Sequence, residues 1–550
     1  MTSHQFPSFP PSYCQRWRDA GLWLDVTLHQ GFDDTVARIP DSVGIITPER
    51  SYTFAQLKET SDALAAGLLG IGIGKGDIVA VQLPNWIEFF YLQIALARIG
   101  AIIQPMHTVF RQRELSNLLS FCETDAVVVA DSIKDTSYSD PIREIWSELP
   151  CLRKLIVARG EPNGDNECSF DALIEEGRSH LNRLDDLDVS AGDVFYLNFT
   201  SGTEGNPKGF LHTHNTLISL YKILMAHMME TVPDTISLAC SPMTHSFGHF
   251  TSYTCAIGGF PVVLIDRYNP KLLLEIISSA RVTNLSGTPA HLIGLLRYQD
   301  FEQYDTSCIN SVGVGGARSS PELIDELEQV WGVKSANTYG MGETVLHTRT
   351  APDDSEEKIR DTVGRPVFGA ELKIVDPKDR SVTLPTGEIG EICFRGATLF
   401  LGYHNQLEKT AETRDDEGWF YTSDLGLVDE EGYLSFAGRA KEVINRGGTK
   451  IYPKEIEDVL NTHPQIEEAA VVGMPDTRFG EVVCAYIVNS GDSELGVEEI
   501  GKFVEQKQVM KYMRPEYVFQ LDAMPMTPTG KIRKATLQQQ AAEFAKENKT

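Results

Sequence analysis

The sequence predicts an α/β fold: a large N-terminal domain of two βαβ-type sheets plus a small β-barrel, followed by a small mobile α+β C-terminal domain. Three observations carry that expectation. Short apolar runs alternate with segments of helical spacing over the first ~360 residues. After Glu371 the pattern turns to short strands split by glycine-containing turns, and a unit of mixed character begins near Lys441. A chain of 550 residues also exceeds the ~150-residue prior for one domain several-fold.

From Asp77, IVAVQLP reads as a strand and EFFYLQIALARIG as a helix ending on Gly100. AIIQPM is a second strand, RQRELSNLLSFC an amphipathic helix and DAVVVA a third strand. Strands alternating with helices imply a parallel sheet covered on both faces. The rhythm recurs in VFYLNFT, the helical pattern around 217–229, PVVLID, KLLLEIISSA and VTNLSG. ELKIVD, EIGEICFRG and GLVDEEGYLSFAG then supply the short antiparallel strands. The last unit reads as a helix opened by Pro453, PKEIEDVL, strands EEAAVVGM and VVCAYIV, the helix VEEIGKFVEQ and the strand YVFQL. The expected division is residues 1–438 and 439–550.

Composition narrows the partners. Acidic residues number 77 against 49 basic ones, a net charge of −28, which argues against nucleic acid and anionic membrane surfaces. If the substrates are anions, the site must gather positive charge against this field. The nine cysteines form no CxxC pair and no metal-ligand spacing, as expected of core thiols in a reducing compartment. No basic-then-apolar leader opens the chain, no run of ~18 apolar residues occurs, and AKENKT is no peroxisomal tripeptide. Cytoplasm is the expected location, and a homodimer is one assembly left open.

The sharpest chemical feature is FTSGTEGNPKG, read as a loop directly after a strand and before a helix. Hydroxyls at Thr200, Ser201 and Thr203, glycines at Gly202, Gly205 and Gly209, and the single Lys208 make a loop whose backbone approaches phosphates closely. Glycines permit the left-handed turns that aim amides inward, and lysine supplies charge. No GK[ST] follows the glycines, so this is no Walker A loop. A Ser/Gly surface turn is the bland alternative, which the whole string disfavours.

This string resembles the phosphate loop of the adenylate-forming superfamily of acyl-CoA synthetases, peptide-synthetase adenylation domains and luciferases, and further similar motifs follow in order along essentially the whole chain. SVGVGGARSSPELI resembles the adenine-binding stretch, with Gly315, Gly316 and Ala317 against the base. ANTYGMGET, residues Asn337, Thr338, Tyr339, Gly340, Met341, Gly342 and Glu343, resembles the motif in which Tyr339 stacks on adenine and Glu343 holds magnesium. WFYTSDLG puts Asp424 at the ribose. GRAKEVINRGG implies Arg439 on the ribose and Lys441 at an interdomain hinge. PMTPTGKIRK implies that Lys531 is the adenylation lysine, carried by the C-terminal lid.

The resemblance implies ATP, Mg2+ and coenzyme A as cofactors, with Thr203 and Glu343 as metal ligands and Thr200–Gly205, Glu204 included, around the phosphates. Lys531, Lys208 and His245 are the implied catalytic residues. In the implied reaction a carboxylate attacks the α-phosphorus of ATP, and the acyl group then passes to a thiol. Anion meets anion, so the protein must hold both in line and neutralise charge at phosphorus. His245 in SPMTHSFGHF is the implied acyl gate. Amino-acid-activating relatives carry an aspartate just after it, where Ser246, Phe247, Gly248 and His249 stand here, so an amine-bearing substrate is not expected. Gly447 and Gly448 resemble the small residues of the pantetheine tunnel. YCQRWRDAGLWLDVTL and HTHNTL resemble the group handling cyclohexanecarboxylate, medium-chain and dihydroxybenzoate-type acids.

Three positions depart from the pattern. Glu204 replaces a usual threonine, Gly342 a usual hydroxyl residue, and Asn445 the lysine of plant-type aryl ligases. Coenzyme A is the preferred acceptor over a carrier protein, since no carrier domain is fused. A luciferase-like monooxygenase shares every motif. A catalytically silent binding protein would have lost Lys531, Glu343, Asp424 or Arg439, all present.

Overall fold

A computed structural model describes residues 4, 6–199, 207–316, 319–351, 353–489, 495–507, 509–526 and 532–547. Among them, contacts divide the chain into two compact units. The first holds Met1–Ser355, Pro366–Glu371 and Arg395–Phe420; the second holds Glu356–Arg365, Leu372–Phe394 and Tyr421–Thr550.

The first unit is built on an eight-stranded and a nine-stranded sheet. In the first sheet, Val194–Phe199, Ile102–Pro105, Ile78–Gln82, Ala126–Ala130, Lys154–Ala158 and Glu167–Ser169 run parallel. In the second, Ala336–Tyr339, Ser311–Val314, Asn284–Gly287, Ser237–Ala239, Val262–Val263 and Val43–Ile46 do so. Strands buried on both faces explain the unbroken apolar runs IVAV and AVVVA, whose strands are fully buried. The crossover helices start and stop where side-chain chemistry directs. Asn269 caps Pro270–Ala280 by accepting from the Leu272 amide, and Ser320 caps Pro321–Trp331 through Leu323. Gly100 ends Ile87–Ile99 in the left-handed region at φ 70°. Leu273, Ile277, Leu323 and Leu327 from two of these helices pack on Leu238, Leu285 and Val312 of the nine-stranded sheet. Each such fully buried side chain contributes about 1.5–3 kcal/mol.

One edge of the eight-stranded sheet is antiparallel. Gly209–Thr213 pairs antiparallel with Val194–Phe199, and Gly402–Tyr403 pairs antiparallel with it in turn. FTSGTEGNPKG therefore joins two strands of a hairpin; the expectation of a helix directly after it is corrected, because GFLHT is buried and extended before the helix His214–Thr231 begins.

The second unit contains most of a five-stranded sheet in the order Asp379–Thr383, Ala370–Asp376, Gly390–Gly396, Phe420–Val428, Leu434–Arg439, which is the segment read as a small barrel. It also contains a sheet of Ile444–Arg446, Thr449–Ile451, Ile466–Asp476, Gly480–Asn489 and Tyr517–Leu521. Helices Pro453–Leu460 and Val497–Gln506 bury Ile456, Leu460, Ile500 and Val504 on one face of that sheet. Lys534–Glu547 buries Leu537 and Ala541 on the other. No described helix is long and apolar enough to cross a membrane.

Candidate active site

Parallel strands release their following loops at their carboxyl ends, where ligands gather in open α/β sheets. In the nine-stranded sheet the register pairs Gly287 with Val314 and Val314 with Asn337. The loops holding Thr288, Gly315–Gly316 and Gly340–Glu343 thus leave side by side. Gly316 takes φ +83°, a conformation that only glycine adopts without cost, and a Cβ there would meet the Thr288 methyl at 3.3 Å. The Gly315 amide donates to the Gly287 carbonyl at 3.2 Å.

The side chains of ANTYGMGET divide their duties. Asn337 is buried, and its amide donates to the Thr350 hydroxyl at 2.9 Å, while Thr338 Oγ1 donates to the Val314 carbonyl at 3.1 Å. Both therefore brace the sheet. Tyr339 is half-buried, its ring edge-on to His347 at 4.9 Å and 78°. Burial holds His347 neutral, depressing its pKa to about 3. At Gly340 a Cβ would overlap the Val345 carbonyl, so the tight turn demands glycine. Gly342 has a different reason: a Cβ would overlap the Phe210 ring. The space an expected hydroxyl side chain would need is filled by the Phe210 ring, from strand Gly209–Thr213 of the other sheet.

Glu343 is a buried carboxylate, 6% exposed, whose Oε1 accepts from the Tyr403 hydroxyl at 2.9 Å. Burial, then the adjacent carboxylate charge, pushes the Tyr403 pKa far up, keeping the phenol protonated as the donor. His212 Nε2 lies 2.7 Å from the Gly342 carbonyl oxygen, and burial depresses its pKa to about 4, so the neutral ring donates there. The strand leaving the glycine-rich loop is thereby tied to the glutamate-bearing turn. Thr200, Ser201, Gly202, Thr203, Glu204 and Gly205 lie outside the described residues; half-buried Lys208 precedes Gly209, which pairs with Phe199 to close the hairpin.

His245 emerges where the two sheets of this unit meet. Asn85, after strand Ile78–Gln82, accepts from the Met243 amide at 2.6 Å and donates to the Ser241 carbonyl at 3.2 Å. His107, just beyond strand Ile102–Pro105, lies 3.0 Å from the Thr244 hydroxyl and stacks on His245 with centroids 6.3 Å apart at 21°. Burial lowers the His107 pKa to about 4. A Cβ on Gly248 would overlap the Pro242 carbonyl, so the helix Ser246–Tyr253 sits directly on that turn. His249 is fully buried, with Nε2 3.1 Å from the Tyr253 hydroxyl. It packs the interior and is not a surface ligand. His107, Asn85, His212 and Tyr403 were missed from the sequence. The strand-end rule would have flagged His107, and HTHNTL contains His212.

In the second unit Asp424 and Arg439 occupy paired positions on adjacent antiparallel strands, with Nε 3.5 Å from Oδ1. Asp424 is buried and Arg439 exposed. The strand is pinned by Glu391, which accepts from the Ser423 amide at 3.0 Å and takes both arms of Arg380 at 2.9 and 3.0 Å. Lys441 is exposed on the turn Ala440–Glu442. Gly447 and Gly448, at φ +58° and +91°, form the two-residue tip joining Ile444–Arg446 to Thr449–Ile451. Positive φ at both central positions is the hairpin geometry that glycine favours. Asn445 Oδ1 accepts from the Gly448 amide at 3.1 Å, so Asn445 braces this turn. Ala317 and Lys531 lie outside the described residues.

No group of three or more His, Cys, Asp or Glu side chains that would hold a metal occurs among the described residues. A single buried carboxylate suits magnesium, which keeps waters and substrate phosphates as most of its ligands. Glu343 presents such a carboxylate.

Two parallel-rich sheets, a glycine-rich hairpin tied to a buried glutamate, and a separate unit carrying an Asp–Arg pair define the class of adenylate-forming enzymes. The AMP-binding enzyme family model matches residues 32–404, and that of the AMP-binding enzyme C-terminal domain matches 455–531. The chain belongs to this family. It is 33% identical to the medium-chain fatty-acid–CoA ligase of Escherichia coli K12, over 95% of this chain and 91% of that one. It is 31% identical to the human mitochondrial medium-chain acyl-CoA ligase ACSF2, covering 94% and 87%. Among solved structures it resembles ATP-bound MatB of Rhodopseudomonas palustris, at TM-score 0.84 and 26% identity over 95% and 100%. This chain is an AMP-forming acid–thiol ligase that uses ATP, Mg2+ and coenzyme A.

Proposed function

We propose that the acid is a medium-chain carboxylate lacking an α-amine, activated and transferred to coenzyme A in the cytoplasm. The observation that carries this reading is whole-chain similarity to two medium-chain ligases. The absence of any carboxylate at 246–249 to pair an amine supports it.

The roles of the residues follow from their chemistry. Gly315, Gly316 and Ala317 offer backbone to adenine, Tyr339 its ring face, and Asp424 and Arg439 the ribose contacts. Glu343, with Thr203, would hold magnesium, which when bound neutralises charge on the departing pyrophosphate. Lys208 and the loop 200–205 draw the phosphates in. Lys531 bridges the incoming carboxylate and the α-phosphate, supplying positive charge where the transition state accumulates negative charge. His245, held by the Thr244 turn and the His107 ring, closes the site beside the reacting carboxylate. Residues 439–550 act as the lid over residues 1–438. Rotation at Lys441 exchanges Lys531 for the Gly447–Gly448 hairpin, whose lack of side chains leaves room for pantetheine.

The test is a panel of straight-chain acids, aryl acids and α-amino acids with ATP, Mg2+ and coenzyme A, read by pyrophosphate release and thioester mass. Medium chains should give the highest kcat/KM. Turnover driven best by an amino acid would overturn the reading.

A further inference from the structure

The turn that presents Glu343 is held from outside itself. Val345 takes φ +62°, a left-handed conformation that β-branched residues avoid. The Thr344 and Val345 amides both fold back on the Met341 carbonyl, at 3.1 and 2.8 Å. One distant segment, residues 398–403, grips this turn in three places. Thr398 Oγ1 donates to the Thr344 carbonyl at 2.8 Å, the Phe400 amide to the Glu343 carbonyl at 2.7 Å, and the Tyr403 hydroxyl to Glu343 Oε1 at 2.9 Å.

The grip is itself anchored. Tyr403 pairs with Phe210 across the antiparallel ladder, on the strand that leaves the glycine-rich loop. Its amide donates to Thr410 Oγ1 at 2.9 Å, and its ring meets Phe400 edge-on at 4.8 Å. A phenol fixed by backbone pairing and packing directs the carboxylate it donates to, more firmly than a solvent-facing hydroxyl would. We infer that Tyr403 is a positioning residue for metal–nucleotide binding: it aims the Glu343 carboxylate and keeps the strained 341–345 turn ready before ATP arrives. The inference rests on the reading that Glu343 holds the metal.

Residues that orient a metal-binding side chain are worth ~10-fold or more in metal affinity. The experiment measures Mn2+·ATP binding to the full chain by electron paramagnetic resonance of Mn2+, without acid or coenzyme A. The variants are Tyr403→Phe, Glu343→Gln and the double variant. Tyr403→Phe should weaken Mn2+·ATP binding ~10-fold, and the double variant should bind no worse than Glu343→Gln, because Tyr403 acts through that carboxylate. Metal-free ATP binding should change little in Tyr403→Phe. Unaltered Mn2+·ATP binding in a folded Tyr403→Phe protein, or a full additive loss in the double variant, would overturn the inference while leaving Glu343 as the metal ligand. Unaltered binding in Glu343→Gln would overturn the reading beneath it and the inference together. If Tyr403→Phe does not fold, Thr398→Val removes another hydroxyl of the same grip; the same weakening is expected, and its absence contradicts the inference.

Discussion

Asp424 and Arg439 face each other across two antiparallel strands, the guanidinium Nε 3.5 Å from the carboxylate, one side chain buried and the other exposed. The ribose role proposed for Asp424 makes this carboxylate the group to test. Hydrogen bonds to a charged group are worth about 1.5–3 kcal/mol. Asp424→Ala should therefore raise the KM for ATP ~10-fold or more, with the KM for the acid nearly unchanged. Steady-state kinetics with each substrate varied checks this. An equal rise for both substrates would assign Asp424 to the framework of its sheet.

Lys531 tests the adenylation step. Lys531→Ala should slow acyl-adenylate formation at least ~100-fold, the cost of losing one charged transition-state contact of about 3 kcal/mol. Thioester formation from pre-made acyl adenylate should survive better. Equal loss in both half-reactions would make Lys531 structural.

Much of the fold was legible because its signals are local. Apolar runs marked the parallel strands, and Gly100 and Pro453 marked helix ends. The edges were not. GFLHT is as apolar as a helix start, and only its pairing with Val194–Phe199 makes it a strand. The site was legible where motifs are contiguous. Tyr403 lies 60 residues from Glu343 and His107 lies 137 from Thr244, and contacts across such separations leave no periodic trace. Gly342 and Asn445 depart from the family pattern. The first is a space filled by Phe210 and the second a hairpin brace.

The hinge prediction concerns Lys441. Proline there fixes φ and removes a backbone donor. Lys441→Pro should leave adenylation largely intact and slow thioester formation at least ~10-fold, if rotation at this residue precedes the thiol step. Single-turnover kinetics of each half-reaction, with a thermal melt to check folding, decide it. No loss in the thiol step, or equal loss in both, places the hinge elsewhere.

Acid should unfold this protein early. Burial depresses the pKa of His29, His107, His212 and His404 to about 4, against an ordinary value of 6.5. The unfolded chain therefore takes up these protons first, and folding stability falls as pH drops from about 6.5 towards 4. Melting temperature measured across that window should decline steadily. His212→Asn should flatten part of the decline while lowering stability at neutral pH, because its bond to Gly342 is weakened. A flat profile down to pH 4 would contradict the burial of these rings as neutral groups.

The most direct test follows the nucleotide. Purified protein with ATP, Mg2+, octanoate and coenzyme A should yield AMP, pyrophosphate and octanoyl-CoA in equal amounts. Without coenzyme A, acyl adenylate and pyrophosphate should appear in a single turnover. ADP and orthophosphate as products, or a thioester formed with no AMP, would contradict adenylate-forming ligation.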